Sequence, residues 1–183
     1  MDREQALSLI KQYVKNKNLV KHMLATEVVL RKLAKVLGED QEKWGLAGLL
    51  HDIDYDLTYN EPHKHSIIGG EILEKYGVDP EIVYAVKAHN EIHGFQRKSN
   101  LDKALYSADP LTGLIVASAL IHPEKKLNSI DAQFVLNRFS EKHFAKGANR
   151  EQIASCSDFG LSLEEFIEIG LSGMQEQHEE LGL

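Results

Sequence analysis

The chain has 183 residues, of which 43% are hydrophobic and 27% are charged, and its formal net charge is −7 at pH 7. This length and composition are typical of one globular domain whose core needs neither disulfides nor a structural metal. The acidic balance argues against duplex nucleic acid as the main partner, because that binding needs a basic face, but it leaves room for a small phosphorylated substrate.

The cysteine content and the first residues bear on the cellular compartment. Cys156 is the single cysteine and cannot form an internal disulfide, which suits a reducing environment. Residues 1–5 are charged and lack an apolar signal core, and no later run reaches the length of a membrane span. We therefore expect a cytoplasmic protein that does not enter a membrane.

Helical periodicity runs through nearly the whole chain, and no segment alternates as a strand would. We predict an all-α bundle of roughly seven to nine helices, forming a single domain over residues 1–183. The first helix covers about residues 3–14, and a long amphipathic helix then ends at Gly38. Asp40 is expected to cap the third helix.

The third helix contains two glycines and ends in polar residues. Gly45 and Gly48 weaken it on propensity alone, so we expect them to permit close approach of a neighbouring helix. Residues 55–62 are interpreted as a loop. The next helix is expected to start at His65, with one face running to Tyr76, and to end at Gly77.

Proline and capping residues divide the rest of the chain. Asp79 and Pro80 predict a helix start, and that helix continues to His89. Ser99 or Asn100 begins a helix that Pro110 is expected to break or kink, with an apolar helix beyond it. The C-terminal third is predicted to complete the bundle with helices over about 129–144 and 149–155 and one opened by a capping box at 162–165.

One apolar run ends in residue types that commonly bind metals in proteins. It reads Leu46-Ala47-Gly48-Leu49-Leu50-His51-Asp52-Ile53-Asp54-Tyr55-Asp56. Neutral imidazole and carboxylate suit divalent transition metals. Burying both at a helix end costs free energy unless a cation or a hydrogen-bonding partner is present.

Ligand-type residues recur on or beside the buried faces of five predicted helices. They are His22, His51 with Asp52, His65, His89 and Asp109. A hydrogen bond to a backbone carbonyl would explain any one of these histidines alone. Together, however, they would leave several buried polar groups unsatisfied without a metal.

This order of residues resembles the HD-domain superfamily of metal-dependent phosphohydrolases. The match consists of His22, the adjacent His51 and Asp52, and the distant Asp109. Segments 65–70 and 85–89 are similar to the ligand helices of the HDIG-like branch, and segment 106–111 resembles the final-aspartate motif. The resemblance covers about residues 22–114.

The resemblance implies a metal centre and a hydrolytic reaction. One divalent transition metal (Fe, Mn, Ni, Co or Zn) would be held by His22, His51, Asp52 and Asp109. His65 and His89 would hold a second ion, with Asp52 as the bridge. The catalytic residues would be His51 and Asp52, and a metal-activated hydroxide would attack a small phosphate ester, nucleotide or dinucleotide.

The chain also departs from the family pattern. Asp54 stands where the motif has glycine, and no lysine follows closely after the His-Asp pair. Asn90 follows His89 where cyclic-dinucleotide phosphodiesterases of the superfamily usually have a second histidine. This difference weakens the case for a third metal and for a cyclic dinucleotide substrate.

Supporting roles are expected of further residues, each with a surface role as the alternative. Asp54 and Asp56 would orient ligand histidines, or are solvated loop acids. Substrate contacts are expected from His63, His93, Lys142 and Lys146, with Arg150 also near phosphate.

Two other functions share the same ligand set. A few members of this fold are mixed-valent di-iron oxygenases, whose ligands of four histidines and two aspartates are similar to those here. A non-catalytic, metal-binding module that senses a ligand or binds a partner is the third hypothesis. Hydrolysis is favoured because it is the commoner use of the fold.

Overall fold

The computed structural model describes residues 1–183 and contains only helices, which confirms the all-α class. Eleven α-helices follow in chain order: α1 Arg3–Tyr13, α2 Lys17–Leu37, α3 Gln41–Leu50, α4 Tyr55–Thr58, α5 Ile67–Lys75, α6 Pro80–His89, α7 Asn100–Ile121, α8 Ala132–Phe139, α9 Arg150–Ala154, α10 Leu163–Glu176 and α11 His178–Leu181. Short 3₁₀ turns cover Glu91–His93, Leu127–Ser129 and Ser155–Phe159. Helices α4, α9 and α11 have four or five residues each.

The predicted helix ends around α2 and α3 are confirmed. Gly38 ends α2 in the left-handed region, at φ +73°, where a side chain would be strained. The Asp40 carboxylate accepts from the backbone N–H groups of Glu42 and Lys43 at 2.9 and 3.0 Å. These caps fix where α3 starts and therefore where its last residues, next to His51, lie.

Gly48 lets α2 and α3 touch backbone to backbone. A Cβ atom at position 48 would lie 2.7 Å from the carbonyl oxygen of Thr26 and 2.8 Å from the nitrogen of Glu27. No side chain fits such a gap, so the expectation of close helix approach is confirmed at this glycine. The contact brings the end of α3 against the face of α2 that carries His22.

We expect Gly48→Ala to destabilise the protein by about 2–3 kcal/mol, because the two backbones must separate to admit the methyl group. The melting temperature should fall by about 4–12 °C, as measured by calorimetry. Gly113→Ala is the matched control, since a Cβ there meets nothing within 4 Å. Equal melting temperatures for the two variants would contradict this account of the packing.

Helix α7 runs unbroken through Pro110, so the expected break is wrong. Proline lacks the N–H that would bond to the carbonyl of Tyr106, four residues earlier. The Nε2 of Gln152 lies 3.4 Å from that carbonyl oxygen and donates to it. A side chain from α9 thus replaces the missing backbone donor, and Asp109 stays within a regular helix.

Helix α7 corrects the expectation that no apolar run reaches the length of a membrane span. Its 22 residues are long and apolar enough to cross a membrane, judged by length and composition alone. Within its most apolar stretch, 67% of the residues are buried inside the protein, as in the core helix of a bundle.

Several observed helices begin or end at residues other than those predicted from the sequence. The predicted loop at 55–62 contains α4, and α5 begins at Ile67, so His65 precedes the helix. Tyr76 is 41% exposed and does not belong to the buried face. The helix predicted over 129–144 is limited to α8, and turns occupy the following residues.

Candidate metal centre

Helices α2, α3 and α7 bring four of the expected ligands together. The Nε2 atom of His22 lies 3.0 Å from Oδ1 of Asp109 and 3.1 Å from Nε2 of His51. The Oδ2 atom of Asp52 lies 3.6 Å from the first of these histidines and 3.5 Å from the second. Two imidazole nitrogens and two carboxylate oxygens therefore surround one small space.

The second oxygen of Asp52 faces a separate pair of histidines. Its Oδ1 atom lies 3.3 Å from Nε2 of His65 and 3.6 Å from Nε2 of His89. The backbone before α5 supplies the first of these rings, and the end of α6 supplies the second. Asp52 thus stands between two groups of ligand atoms.

Hydrogen bonds on the outer side of three histidine rings fix their orientation. Nδ1 of His51 donates to the carbonyl oxygen of Gly48 at 2.7 Å, and Nδ1 of His89 donates to that of Val86 at 2.6 Å. Nδ1 of His65 lies 3.0 Å from the carboxylate of Asp54. With their protons on Nδ1, the neutral rings present lone pairs on Nε2 toward the centre.

Thr112 orients the fourth ring. Its hydroxyl donates to the carbonyl oxygen of Asp109 at 2.8 Å, so at 3.1 Å it accepts from Nδ1–H of His22. The Nε2 atoms of His22 and His51 then carry facing lone pairs only 3.1 Å apart. Such a pair repels unless a cation or a proton lies beside it, and this donor set fits a divalent transition metal.

Without a metal, protons must balance the two central carboxylates. Burial disfavours a charged His51 ring, but Asp52 and Asp109 outweigh it and raise the pKa of His51 to about 9. Burial likewise opposes ionisation of both aspartates, yet the neighbouring histidines hold the pKa of each carboxyl below its usual value. Carboxylates that stay ionised in a buried centre favour the binding of a cation.

Asp54 forms a hydrogen bond with one of the ligand-type histidines. The side chain is fully buried, and its Oδ1 atom accepts from Nδ1 of His65. Its Oδ2 atom accepts from the backbone N–H groups of Ser66 and Gly69, each at 2.8 Å. This aspartate therefore fixes both the His65 ring and the start of α5.

Two expected residues lie away from the centre. The exposed carboxylate of Asp56 accepts from the backbone N–H groups of Lys15 and Asn16 at 2.6 and 3.0 Å. It holds the α1–α2 connection and contacts no ligand histidine, so the orienting role expected of it is corrected. His63 is exposed and does not line the cleft beside the centre.

The remaining expected residues divide between structural contacts and the cleft. Nε2 of His93 donates to the carbonyl oxygen of His65 at 2.7 Å, so it supports the backbone of an expected ligand residue. Arg150 donates to backbone carbonyls, which corrects its expected place at a phosphate. Lys142 is exposed outside the cleft, whereas Lys146 lines a pocket of about 310 Å³ together with His22 and Asp109.

The centre opens into a cleft of about 410 Å³, and the sequence reasoning missed some of its walls. Asn16 and Tyr55 line it together with four of the expected ligands. The Tyr55 ring is 40% exposed and packs edge-on against His65, with ring centroids 5.2 Å apart. Its position next to Asp54 in sequence was the available signal. The contact between Thr112 and His22 was also missed, and the available signal was the spacing of three residues between Asp109 and Thr112.

The chain is similar to a known protein family and to several known proteins. The family model for the HD domain matches residues 19–119. A Ribonuclease Y of Desulfotalea psychrophila is 34% identical over 140 residues, which is 73% of this chain and 26% of the relative. A Ribonuclease Y of Oleidesulfovibrio alaskensis is 32% identical over 98 residues, covering 54% and 18% respectively. The chain thus spans about a quarter or less of the length of these relatives.

The names of these relatives contradict the expected partner, which was a small phosphorylated metabolite or nucleotide and not duplex nucleic acid. The relatives are named for an activity on RNA. The argument from net charge fails for a physical reason. Lys21 and Lys146 each line a pocket that also contains His22, so positive charge lies near the centre although the chain as a whole is acidic.

The matched segment contains all the ligand-type residues of the centre, from His22 to Asp109. It covers more than half of the chain, and the all-helical architecture agrees with it. The chain belongs to the HD domain family, a family of the metal-dependent phosphohydrolase type.

Proposed function

We propose that this chain is a metal-dependent phosphodiester hydrolase that cleaves RNA. The observation that carries the proposal is the position of Asp52, whose two carboxylate oxygens face two separate pairs of histidines. Such an arrangement suits two adjacent ions that share one carboxylate. The names of the relatives support RNA as the substrate.

The two ions would be held by two sets of side chains that share Asp52. His22, His51, Asp109 and Oδ2 of Asp52 would hold one, and His65, His89 and Oδ1 of Asp52 would hold the other. When bound, such ions stabilise negative charge on phosphate oxygens and lower the pKa of water.

The protein contributes rigidity and a directed opening. His51 and Asp52 are 0% and 6% exposed, so packed helices close the centre on the protein side. The cleft with Asn16 and Tyr55 admits a phosphodiester from the other side. Burial, together with the charge of Asp52, raises the pKa of Tyr55, so its hydroxyl stays protonated at neutral pH.

The single cysteine is a poor candidate for a nucleophile. Cys156 is buried, and burial raises the pKa of its thiol. Hydrolysis by water is therefore favoured over a covalent intermediate. The name of the relatives favours a hydrolase over the di-iron oxygenase alternative and over a module without catalysis.

Cleavage of RNA by the loaded protein tests the proposal. The purified chain is loaded anaerobically with Mn²⁺ or Fe²⁺ and incubated with 5′-labelled single-stranded RNA. We expect shorter products on a denaturing gel, their loss with EDTA, and their return when metal is added back. Intact RNA in the presence of protein shown to contain both ions would contradict the proposal.

Metal should also stabilise the fold, since only the folded chain brings the six ligands together. At a free metal concentration of about 100 times Kd the gain is about 2.7 kcal/mol. The melting temperature should then rise by about 5–11 °C. Calorimetry with and without EDTA measures the difference, and an unchanged melting temperature across a metal titration would argue against a metal centre.

A further inference from the structure

Arg150 organises the turns that follow α8. Its guanidinium donates to six backbone carbonyls, those of Arg138, Phe139, Glu141, Phe144, Ala145 and Ala148, at 2.7 to 3.4 Å. A guanidinium has only five N–H donors, so every donor is used and one is shared. The contacts join the C-terminal end of α8 to residues 141–148.

This arginine has no carboxylate partner. Its hydrogen bonds all end on carbonyl oxygens, and burial is the single influence that lowers its pKa. The charge is therefore not used in an ion pair. Its role is to hold the chain from 141 to 148 in one shape, including Ala145 at φ +44°, a conformation that residues other than glycine rarely adopt.

The segment held in this way forms a wall beside the metal centre. Residues 145–148 line the pocket of about 310 Å³ that also contains His22 and Asp109. Lys146 forms no ion pair in the structure, and the backbone N–H groups of Lys146 and Gly147 have no acceptor within the protein. The segment thus offers several unused donors and a positive charge next to the expected ligands.

Unused donors together with a cation select an anion as the ligand. Successive free backbone N–H groups in a turn bind phosphate oxygens, and a lysine ammonium adds a point charge. The pocket shares His22 and Asp109 with the cleft of the metal centre. A phosphate bound there would therefore be a neighbour of the one at the centre.

We propose that residues 145–148 form a phosphate-binding subsite, in which Lys146 binds the phosphate next to the scissile one and Arg150 is the positioning residue that shapes the subsite. The inference rests on the proposed cleavage of RNA, because it assigns a second phosphate of the same strand.

Steady-state kinetics on single-stranded RNA test the role of Lys146. Lys146→Met should raise KM about tenfold and leave kcat within about twofold, because the contact binds ground state and transition state alike. The slope of log KM against log salt concentration should fall by about 0.7, as expected for one lost contact to single-stranded phosphate. Lys142→Met is the matched control, since Lys142 follows the same helix but lies outside the pocket, and its kinetics should be unchanged. Equal effects of the two substitutions would overturn the subsite.

A double variant tests whether Arg150 acts through this segment. Lysine keeps the charge but supplies only three donors, so Arg150→Lys should loosen the turns and raise KM by a similar factor. The variant with both Arg150→Lys and Lys146→Met should be no worse than the weaker-binding single variant. Multiplied effects on KM, or a fall in kcat alone, would overturn the positioning role.

Binding of inorganic phosphate to the metal-free protein separates this inference from the proposed function. The amide NMR signals of Lys146 and Gly147 should shift on phosphate titration in the wild type and shift less in Lys146→Met. Unmoved signals in a protein that cleaves RNA would overturn the subsite alone. Shifted signals in the metal-free protein, together with intact RNA when the metal-loaded protein is assayed, would support the subsite and refute the proposed function.

Discussion

Replacing Asp52 with asparagine should abolish the proposed RNA cleavage and reduce the bound metal from the proposed two ions per chain to one or none. The amide keeps the shape of the side chain but offers a single oxygen without negative charge. One of the two groups of histidines then loses its shared ligand. We expect kcat to fall by about a thousandfold or more, equivalent to about 4 kcal/mol of transition-state stabilisation.

Asp56→Asn provides the matched control for this substitution. Asp56 lies four residues along the chain and contacts only the backbone of Lys15 and Asn16. Its kcat and metal content should stay within about twofold of the wild type, as expected for a surface change. If elemental analysis finds two ions in Asp52→Asn, this aspartate is not the bridge.

Asp54→Ala should have the second largest effect, acting on stability and on one ion. Its carboxylate pairs with three donors: the Nδ1–H of His65 and the backbone N–H groups of Ser66 and Gly69. Alanine leaves all three without an acceptor in a buried place, at a cost of about 3–5 kcal/mol. The His65 ring also loses its fixed orientation, so the ion beside His65 and His89 should bind more weakly.

The variant His65→Ala separates the two consequences. It removes a ligand but leaves the hydrogen bonds from Asp54 to Ser66 and Gly69 in place. We expect it to lose the same ion with a smaller fall in melting temperature. Asp54→Ala that unfolds more easily yet still binds two ions tightly would show that Asp54 supports the fold without orienting the ligand.

The ligand-type residues could be found from the sequence because each follows from a local pattern. His51 and Asp52 follow an apolar helix with a clear cap at Asp40, and His89 ends a helix opened by Asp79 and Pro80. Helical periodicity places such residues on buried faces. Their common depth then suggested one centre, and the structure brings these side chains together.

What could not be predicted depends on contacts between distant segments. Gln152 donates to the carbonyl oxygen of Tyr106, which Pro110 leaves without its helical partner. No residue close to Pro110 in the sequence indicates this contact. In the sequence, Arg150 looks like an ordinary surface arginine. The carbonyl oxygens that surround its guanidinium come together only in the folded turns. The argument about the partner failed for a related reason, because net charge describes the whole surface, while Lys21 and Lys146 line individual pockets that contain His22.

The proposal that Asp52 bridges two ions is tested most directly by anomalous diffraction from crystals grown with Mn²⁺ or Fe²⁺. We expect two peaks about 3.5–4 Å apart, as in other two-metal sites. One should lie among His22, His51 and Asp109 and the other beside His65 and His89, with one oxygen of Asp52 facing each. A single peak, or two peaks that do not share Asp52, would contradict the account.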